Sequence, residues 1–235
     1  MATIEVRELR TPAELAEAVR LQFEIWGPND ATPANQLVIS VKTGGHVLGA
    51  YDGDRLVSFA YGFPAVLQGQ EPWIASHMLA TLPEYGGQGL GRMLKWRQRD
   101  WALAHGYHRV TWTFDPLEAR NAHLNLNLLG AVAGEYIVDC YGPMEDKLNR
   151  GLPSDRLMAD WQLDSPRVVA AARGERPALD GERVTVPLDF QSLRSVDPAR
   201  ALAERLRVRE ELVAHLAAGR VCAAFDRASS ALVLR

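Results

Sequence analysis

Four glycines crowd the six residues Gly86-Gly-Gln-Gly-Leu-Gly91, between an apolar run that ends at Pro83 and a run with helical spacing. Glycine in such density costs conformational entropy on folding, so a chain keeps it where nothing else serves. It permits positive φ and lets backbone N–H groups approach a ligand with no Cβ in the way. A helix that begins directly afterwards adds unpaired N–H groups and a partial positive charge. Strand, glycine loop and helix N-terminus together suit a phosphate or pyrophosphate. The same spacing also serves a bare strand–helix turn.

The flanking residues set the fold class. The helix after the loop runs to His105 and is closed by Gly106. Its apolar stripe is read as Leu90, Met93, Leu94, Trp101 and Ala104, with Lys95, Arg97 and Arg99 on a solvated face. Before the loop, Ile4–Leu9 alternates as a strand, and Thr11-Pro12-Ala-Glu14 opens a helix that runs to about Trp26. His46–Tyr51 and Leu56–Phe63 form a hairpin through Asp52-Gly53-Asp54, and Trp73–Leu82 is a further apolar strand. Arg109–Phe114 is a strand after the helix. That order predicts an α/β fold with a mixed central sheet.

Beyond it, a helix is expected from Pro116 to Leu129, with Asp115 as N-cap and Glu118 at N3, then strands at Ala133–Tyr141 and Arg156–Leu163. Asp164–Glu182 reads as a connector, Val184–Phe190 as a strand, and Asp197-Pro198 caps a helix to about Ala218. Val221–Phe225 and Ala231–Leu234 form a terminal hairpin. The expected domains are a core, 1–164, and an α+β extension, 165–235. The stripe Leu202, Leu206, Val213 and Leu216 would press the extension onto the core or onto a second subunit of a homodimer.

Composition narrows the partners. A net charge of −3 over 235 residues carries no footprint for nucleic acid or an anionic membrane. No apolar run approaches the roughly 18 residues of a membrane span, and the N-terminus lacks a secretory apolar stretch. Cys140 and Cys222 are the only cysteines, with no metal-ligand spacing around them or the six histidines. The expectations are a cytoplasmic protein, no metal, no nucleic acid, no membrane and a small-molecule substrate.

Two phosphate-binding motifs fail on spacing. A P-loop ends in Gly-Lys-Ser/Thr, whereas this loop ends Gly-Leu-Gly-Arg92. A dinucleotide fingerprint needs G-x-G-x-x-G at a first βα unit, and Gly87-Gln-Gly89-Leu-Gly91 follows several strands with a different spacing. The segment Ala80-Thr-Leu-Pro83-Glu-Tyr-Gly-Gly-Gln-Gly89-Leu-Gly91-Arg92 instead resembles the coenzyme A signature Gln/Arg-x-x-Gly-x-Gly/Ala of the GNAT superfamily of N-acyltransferases. It departs from that signature at the Gln/Arg position, which is Gly86. Trp112–His123 resembles a little-characterised subgroup of the same superfamily.

That resemblance implies an acyl-CoA co-substrate, acetyl-CoA by default, and direct attack of a neutral small amine or amino acid on the thioester. The backbone at Leu79, Ala80 and Thr81 would pair with the pantetheine arm. Amides of Gly87, Gln88, Gly89, Leu90, Gly91 and Arg92 would hold the pyrophosphate. The subgroup implies succinyl transfer to an amino acid as an alternative, and the departures from the signature leave a non-catalytic acyl-CoA sensor as another.

His77 is the candidate base: it lies on the strand entering the loop and resembles one of two strand histidines of the serotonin-acetylating members, Ala75 standing at the other position. A hydrogen-bonded strand histidine is the competing reading. Asn121, on a stripe with Leu117, Leu124 and Leu128, is a polar residue in need of a partner and a candidate cofactor contact. The family's thiolate-protonating tyrosine is replaced by Leu126, so no general acid is assigned, and Tyr136 and Tyr141 read as core or rim.

Overall fold

The computed structural model describes residues 4–27, 31–142 and 152–235, which form two compact units, Met1–Thr111 and Trp112–Arg235. The second unit takes in the expected 165–235 extension together with residues 112–164.

In the first unit, β1 (Ile4–Glu8), β2 (His46–Asp52), β3 (Arg55–Ala65) and β4 (Trp73–Thr81) are antiparallel neighbours in chain order. The β2–β3 turn holds Gly53 at a φ of +59°, as Asp52-Gly53-Asp54 implies. Helix α1 (Pro12–Ile25) starts on a full capping box, with Thr11 and Glu14 exchanging bonds. Those bonds from the Thr11 and Arg10 amides lower the Glu14 pKa to about 2. Helix α2 (Ala34–Lys42) occupies a stretch read as loop; its start has no side-chain cap to mark it in the sequence. Leu15, Leu21, Leu37, Phe59 and Tyr61 make the core on this face of the sheet.

Helix α3 (Leu90–Ala104) packs on the opposite face, where Leu94 joins Leu48, Ala50 and Ala60. Its buried residues are Leu90, Leu94, Lys95, Gln98, Trp101 and Ala102. The predicted stripe is thus corrected: Met93 is exposed, Ala104 is exposed, and Lys95 lies fully inside instead of on a solvated face. Strand β5 (Arg109–Phe114) starts in this unit and pairs with β4 in parallel.

In the second unit, β6 (Val132–Ile137), β7 (Arg156–Gln162), β8 (Glu182–Thr185), β9 (Cys222–Asp226) and β10 (Ala231–Leu234) lie in the antiparallel order β7-β6-β9-β10-β8. The helix expected from Pro116 begins late: α4 (Ala119–Ala122) is followed by a π-helical stretch, His123–Leu128. Asp115 does not cap it. One carboxylate oxygen accepts from the Leu117 amide at 2.9 Å, a local turn, while both oxygens accept from Arg205.

The expected connector holds α5 (Pro166–Ala172), capped by Ser165, whose Arg167 donates to the Gly130 carbonyl at 2.9 Å, the Leu126 carbonyl at 3.0 Å and the Ala223 carbonyl. Helix α6 (Phe190–Val196) also went unread, and the predicted 184–190 strand is confined to β8.

Helix α7 (Pro198–Ala217) is capped by Asp197 as expected, but it buries Ala201, Arg205, Val208 and Leu212. The predicted stripe is corrected, since Leu202, Leu206 and Val213 face outward. An arginine sits at the centre of the buried face because two carboxylates wait for it and its neighbour. Arg205 meets Asp115 through two bonds of 2.7 and 2.6 Å, and Arg209, one turn on, meets Asp155 through two of 2.8 Å. Burial pushes Asp155 upward, but Arg209, the Tyr136 hydroxyl and the Asp139 amide outweigh it and hold the carboxyl below its ordinary range.

Candidate active site

Strand β4 leads into the glycine loop through a 3-10 turn, Pro83–Tyr85. Gly87 and Gly89 take φ of +78° and +82°, a conformation L side chains rarely adopt, and no protein atom lies within 4 Å of where their Cβ atoms would be. Gly89 is the N-cap of α3 with no side-chain bond to the helix amides. The loop thus pairs uncapped helix N–H groups with open space in front of them, the arrangement that takes a phosphate. Gly91, already helical, would set a Cβ at an ordinary 3.5 Å from Leu79. Gly86 differs: its amide bonds the Pro83 carbonyl, and a Cβ there would lie 2.9 Å from that same oxygen. Gln88 is exposed, its amide 3.4 Å from the Glu84 carbonyl, while Leu90 is buried and Arg92 half-buried.

One edge of β4 is paired and the other largely open. Toward β3 the ladder runs the length of the strand, through Ala60↔Leu79, Phe59↔Ala80 and Ser58↔Thr81. The Ser58 hydroxyl donates to the Ala80 carbonyl at 2.6 Å and lies 2.7 Å from the Thr81 hydroxyl. Toward β5, the ladder comprises only Ile74↔Val110 and Ala75↔Thr111, locked by a 2.9 Å bond from the Trp73 indole to Thr111. Among the described residues, no ladder pair joins the second edge of β4 from Ser76 to Thr81, the stretch that holds Leu79, Ala80 and Thr81.

His77 stands at a β-bulge. Tyr61 pairs with Met78 and Gly62 with Ser76, so His77 is the extra residue. The faces confirm the count. Ser76 meets Lys95 on the α3 side, and Leu79 packs there too. His77 and Met78 both turn to the other side, His77 against Tyr61 and Phe63, Met78 against the α1–α2 core and the Thr32 hydroxyl. A regular strand would have sent adjacent residues to opposite faces. The bulge leaves His77 without a register partner on β3. The ring is exposed at the surface, yet partial burial lowers its pKa below the ordinary 6.5, so it is neutral at pH 7.

Behind the bulge lies a buried polar bridge that the sequence did not suggest. The Lys95 ammonium donates to the Ser76 hydroxyl at 2.9 Å and to Gln98 Oε1 at 3.0 Å, and Gln98 Nε2 lies 2.8 Å from His46 Nε2. His46, Gly62 and Ser76 are register partners across β2, β3 and β4. A Cβ on Gly62 would come within 2.8 Å of the His46 ring, so the bridge spans the one residue that leaves it room. Burial holds Lys95 well below the ordinary lysine range and, with Lys95 and His105, pushes His46 down to about 3.

The other candidates lie in the second unit. Asn121 is exposed on α4, not on a buried stripe, because the chain winds as a π-helix after Ala122; the buried asparagines are Asn125 and Asn127. Asn127 exchanges two 2.8 Å bonds with the Phe225 backbone. Leu126 is fully buried. The Tyr136 hydroxyl donates to Asp155 at 2.6 Å, and burial together with that carboxylate raises its pKa, which unfits it as an acid. Tyr141 is half exposed and shares its hydroxyl with Thr113. Among the described residues, no group of three or more His, Cys, Asp or Glu side chains could hold a metal ion, and no helix is long and apolar enough to cross a membrane.

Comparison with known proteins agrees with this geometry. The GNAT acetyltransferase family model matches residues 6–126. Among solved structures, yncA of Salmonella typhimurium, determined with its cofactor acetyl-CoA, superposes with a TM-score of 0.57 at 18% identity, covering 69% of this chain and 95% of its own. The ribosomal-protein-S18-alanine N-acetyltransferase of Escherichia coli gives 0.56 at 16% identity, with coverage of 69% and 96%. A GNAT-family acetyltransferase from Streptococcus pneumoniae gives 0.54 at 16%, with coverage of 67% and 98%. No protein of curated function matches the sequence. The uncapped glycine loop, the half-open β4 and the family match over half the chain lead to one conclusion: this protein belongs to the GNAT family of acetyltransferases.

Proposed function

We propose that the protein transfers an acetyl group from acetyl-CoA to the nitrogen of a small amine or amino acid, with His77 as the base. The observation that carries this reading is the β4 bulge, which turns a neutral imidazole out beside an open strand edge that leads straight into the glycine loop. Acyl-CoA, when bound, supplies a thioester whose carbonyl carbon is open to attack. The Gly87–Arg92 amides hold its pyrophosphate, and Leu79–Thr81 pair with its pantetheine arm. His77 accepts the proton that the amine nitrogen loses as the new C–N bond forms and the C–S bond breaks. Water protonates the departing thiolate, because Leu126 stands where a tyrosine would be and Tyr136 is held by Asp155. Asn121 as a further cofactor contact belongs to the same proposal, as does a cytoplasmic setting.

The test is a matrix of acetyl-CoA and succinyl-CoA against amines, amino acids and N-terminal peptides, read as free CoA released. Turnover with acetyl-CoA and a small amine is the expected result. Preference for succinyl-CoA would change the donor, preference for peptides would change the acceptor, and acyl-CoA binding without turnover would replace the enzyme by a sensor.

A further inference from the structure

Strand β4 meets helix α3 at Ser76 and again at Leu79, yet residues three apart on a regular strand face opposite ways. Leu79 packs against the cluster of Leu48, Ala50, Ala60 and Leu94, and a Cβ on Gly91 would lie 3.5 Å from its side chain. The Ser76 hydroxyl accepts from Lys95 Nζ at 2.9 Å. Both contacts hold together only if one residue between them is left over, and His77 is that residue. From this we propose that Lys95 is a positioning residue for acyl transfer, which holds the bulge in register so that His77 stays turned outward. The inference rests on the acyl-transfer reading above and assigns the bridge behind the bulge to that reaction.

A buried lysine suits this task better than an apolar residue would. Apolar contacts tolerate a slip along the strand, whereas a hydrogen bond has a direction and a particular acceptor. Were β4 to move by one residue past α3, Ala75 or His77 would stand where Ser76 does. Lys95, only 2% exposed, would then lose an acceptor that water cannot replace. Gln98 sets the other end. Its Oε1 accepts from Lys95 at 3.0 Å, so its Nε2 donates to His46 Nε2 at 2.8 Å, which requires that ring nitrogen to carry no proton. His46, Gly62 and Ser76 are successive register partners, so the bridge ties three strands to one helix on the rung beside the bulge. The same helix begins at the glycine loop, with Lys95 five residues on from Leu90, about 7.5 Å along the axis. Helix α3 thereby fixes the base relative to the loop that holds the cofactor.

The experiment measures kcat and the KM for acetyl-CoA in Lys95→Met, in Ser76→Ala and in each combined with His77→Ala. In the single variants it also follows the His77 ring through a pH titration by proton–carbon NMR. Both single variants are expected to lower kcat by at least about tenfold, the scale of a misplaced reacting group, with KM for acetyl-CoA within about twofold. The His77 midpoint is expected to rise toward 6.5 in both, because a slackened bulge lets water reach the ring. Each double variant is expected to be no slower than His77→Ala alone, since Lys95 acts through His77. An unchanged kcat overturns the proposal, as does an unmoved His77 midpoint or a loss that multiplies in the double variants. Ser76→Ala leaves the lysine in place and carries the test by itself should Lys95→Met not fold. If no amine releases CoA from the unsubstituted protein, the acyl-transfer reading has failed separately. The His77 midpoint in Ser76→Ala then decides alone: a rise keeps the bridge as the support of the ring, and no change overturns it.

Discussion

The hairpin from Val57 to Pro83 in the first unit carries a single acid and no lysine or arginine, whereas the second unit buries Arg205 against Asp115 and sets the half-buried Arg209 on the buried Asp155. In the second unit the charges are matched: Arg205 with Asp115, Arg209 with Asp155, and Tyr136 on the remaining lone pair. Such pairs specify how α7 sits and leave little chemistry to spare. In the first unit the polar capacity is left unspent at the loop and at the β4 edge, and a neutral imidazole stands exposed next to them. Satisfied polar groups mark architecture and unsatisfied ones mark the site. By that standard Asp115, an acid close in sequence to the signature, belongs to the architecture.

The largest effect that would break this contrast is at the loop. Gly89→Val places a β-branched residue at a φ of +82° and is expected to remove acetyl-CoA binding from calorimetric detection while the circular dichroism melt persists. Undiminished affinity would show that the loop is only a turn. In the second unit, Arg205→Ala strands Asp115 without its partner and is expected to cost about 3–5 kcal/mol in urea unfolding; a loss near zero would mean that the pair is ornamental to the packing of α7. His77→Ala is expected to lower kcat by about 100-fold, equivalent to about 2.7 kcal/mol. The unsubstituted enzyme should gain activity as pH rises through a midpoint below 6.5, where His77 loses its proton, and the variant should lack that limb.

A smaller effect sharpens the comparison from within the first unit. His46 titrates near 3 when folded and near 6.5 when not, so the unfolded chain binds more protons between those values. Stability conferred by a neutral His46 is complete above pH 6.5 and falls on acidification, by up to about 1.4 kcal/mol per pH unit. Lys95, also lowered, pulls in the same direction below the ordinary lysine range. His46→Gln should flatten the decline in urea midpoint between pH 7 and pH 5; an unchanged slope would place the acid sensitivity elsewhere. Smallest of all, Gly91→Ala should shift acetyl-CoA affinity by no more than about twofold, because a helical Cβ has ordinary contact there.

What the sequence made legible was local. The capping box at Thr11 and Glu14, the glycine loop, the Gly106 stop and the Asp197 cap each reside in a few consecutive residues whose chemistry depends on one another. What it concealed was set by distant partners. Lys95 lies on a helix with Arg97 and Arg99, and its partners inside include Ser76, 19 residues away, and Gln98, which itself reaches His46, 52 residues off. Arg205 is a buried residue only because Asp115, 90 positions earlier, faces it. The π-helix after Ala122 broke the 3.6-residue spacing on which the Asn121 stripe depended. The bulge was invisible for another reason: His77 looks the same in a regular strand, and one extra residue shows only when the strand is counted against its neighbour.

Gly86 bears on how such a loop can change over generations. The Gln or Arg of the family signature does not fit the turn as it stands, because a Cβ at this position would lie 2.9 Å from the Pro83 carbonyl oxygen that its own amide holds. The 3-10 turn at Pro83–Tyr85 would have to open first, a step that brings no phosphate contact of its own. A side chain at position 86 and a loosened turn are thus coupled changes, and while the turn stands that position offers no side chain to a ligand.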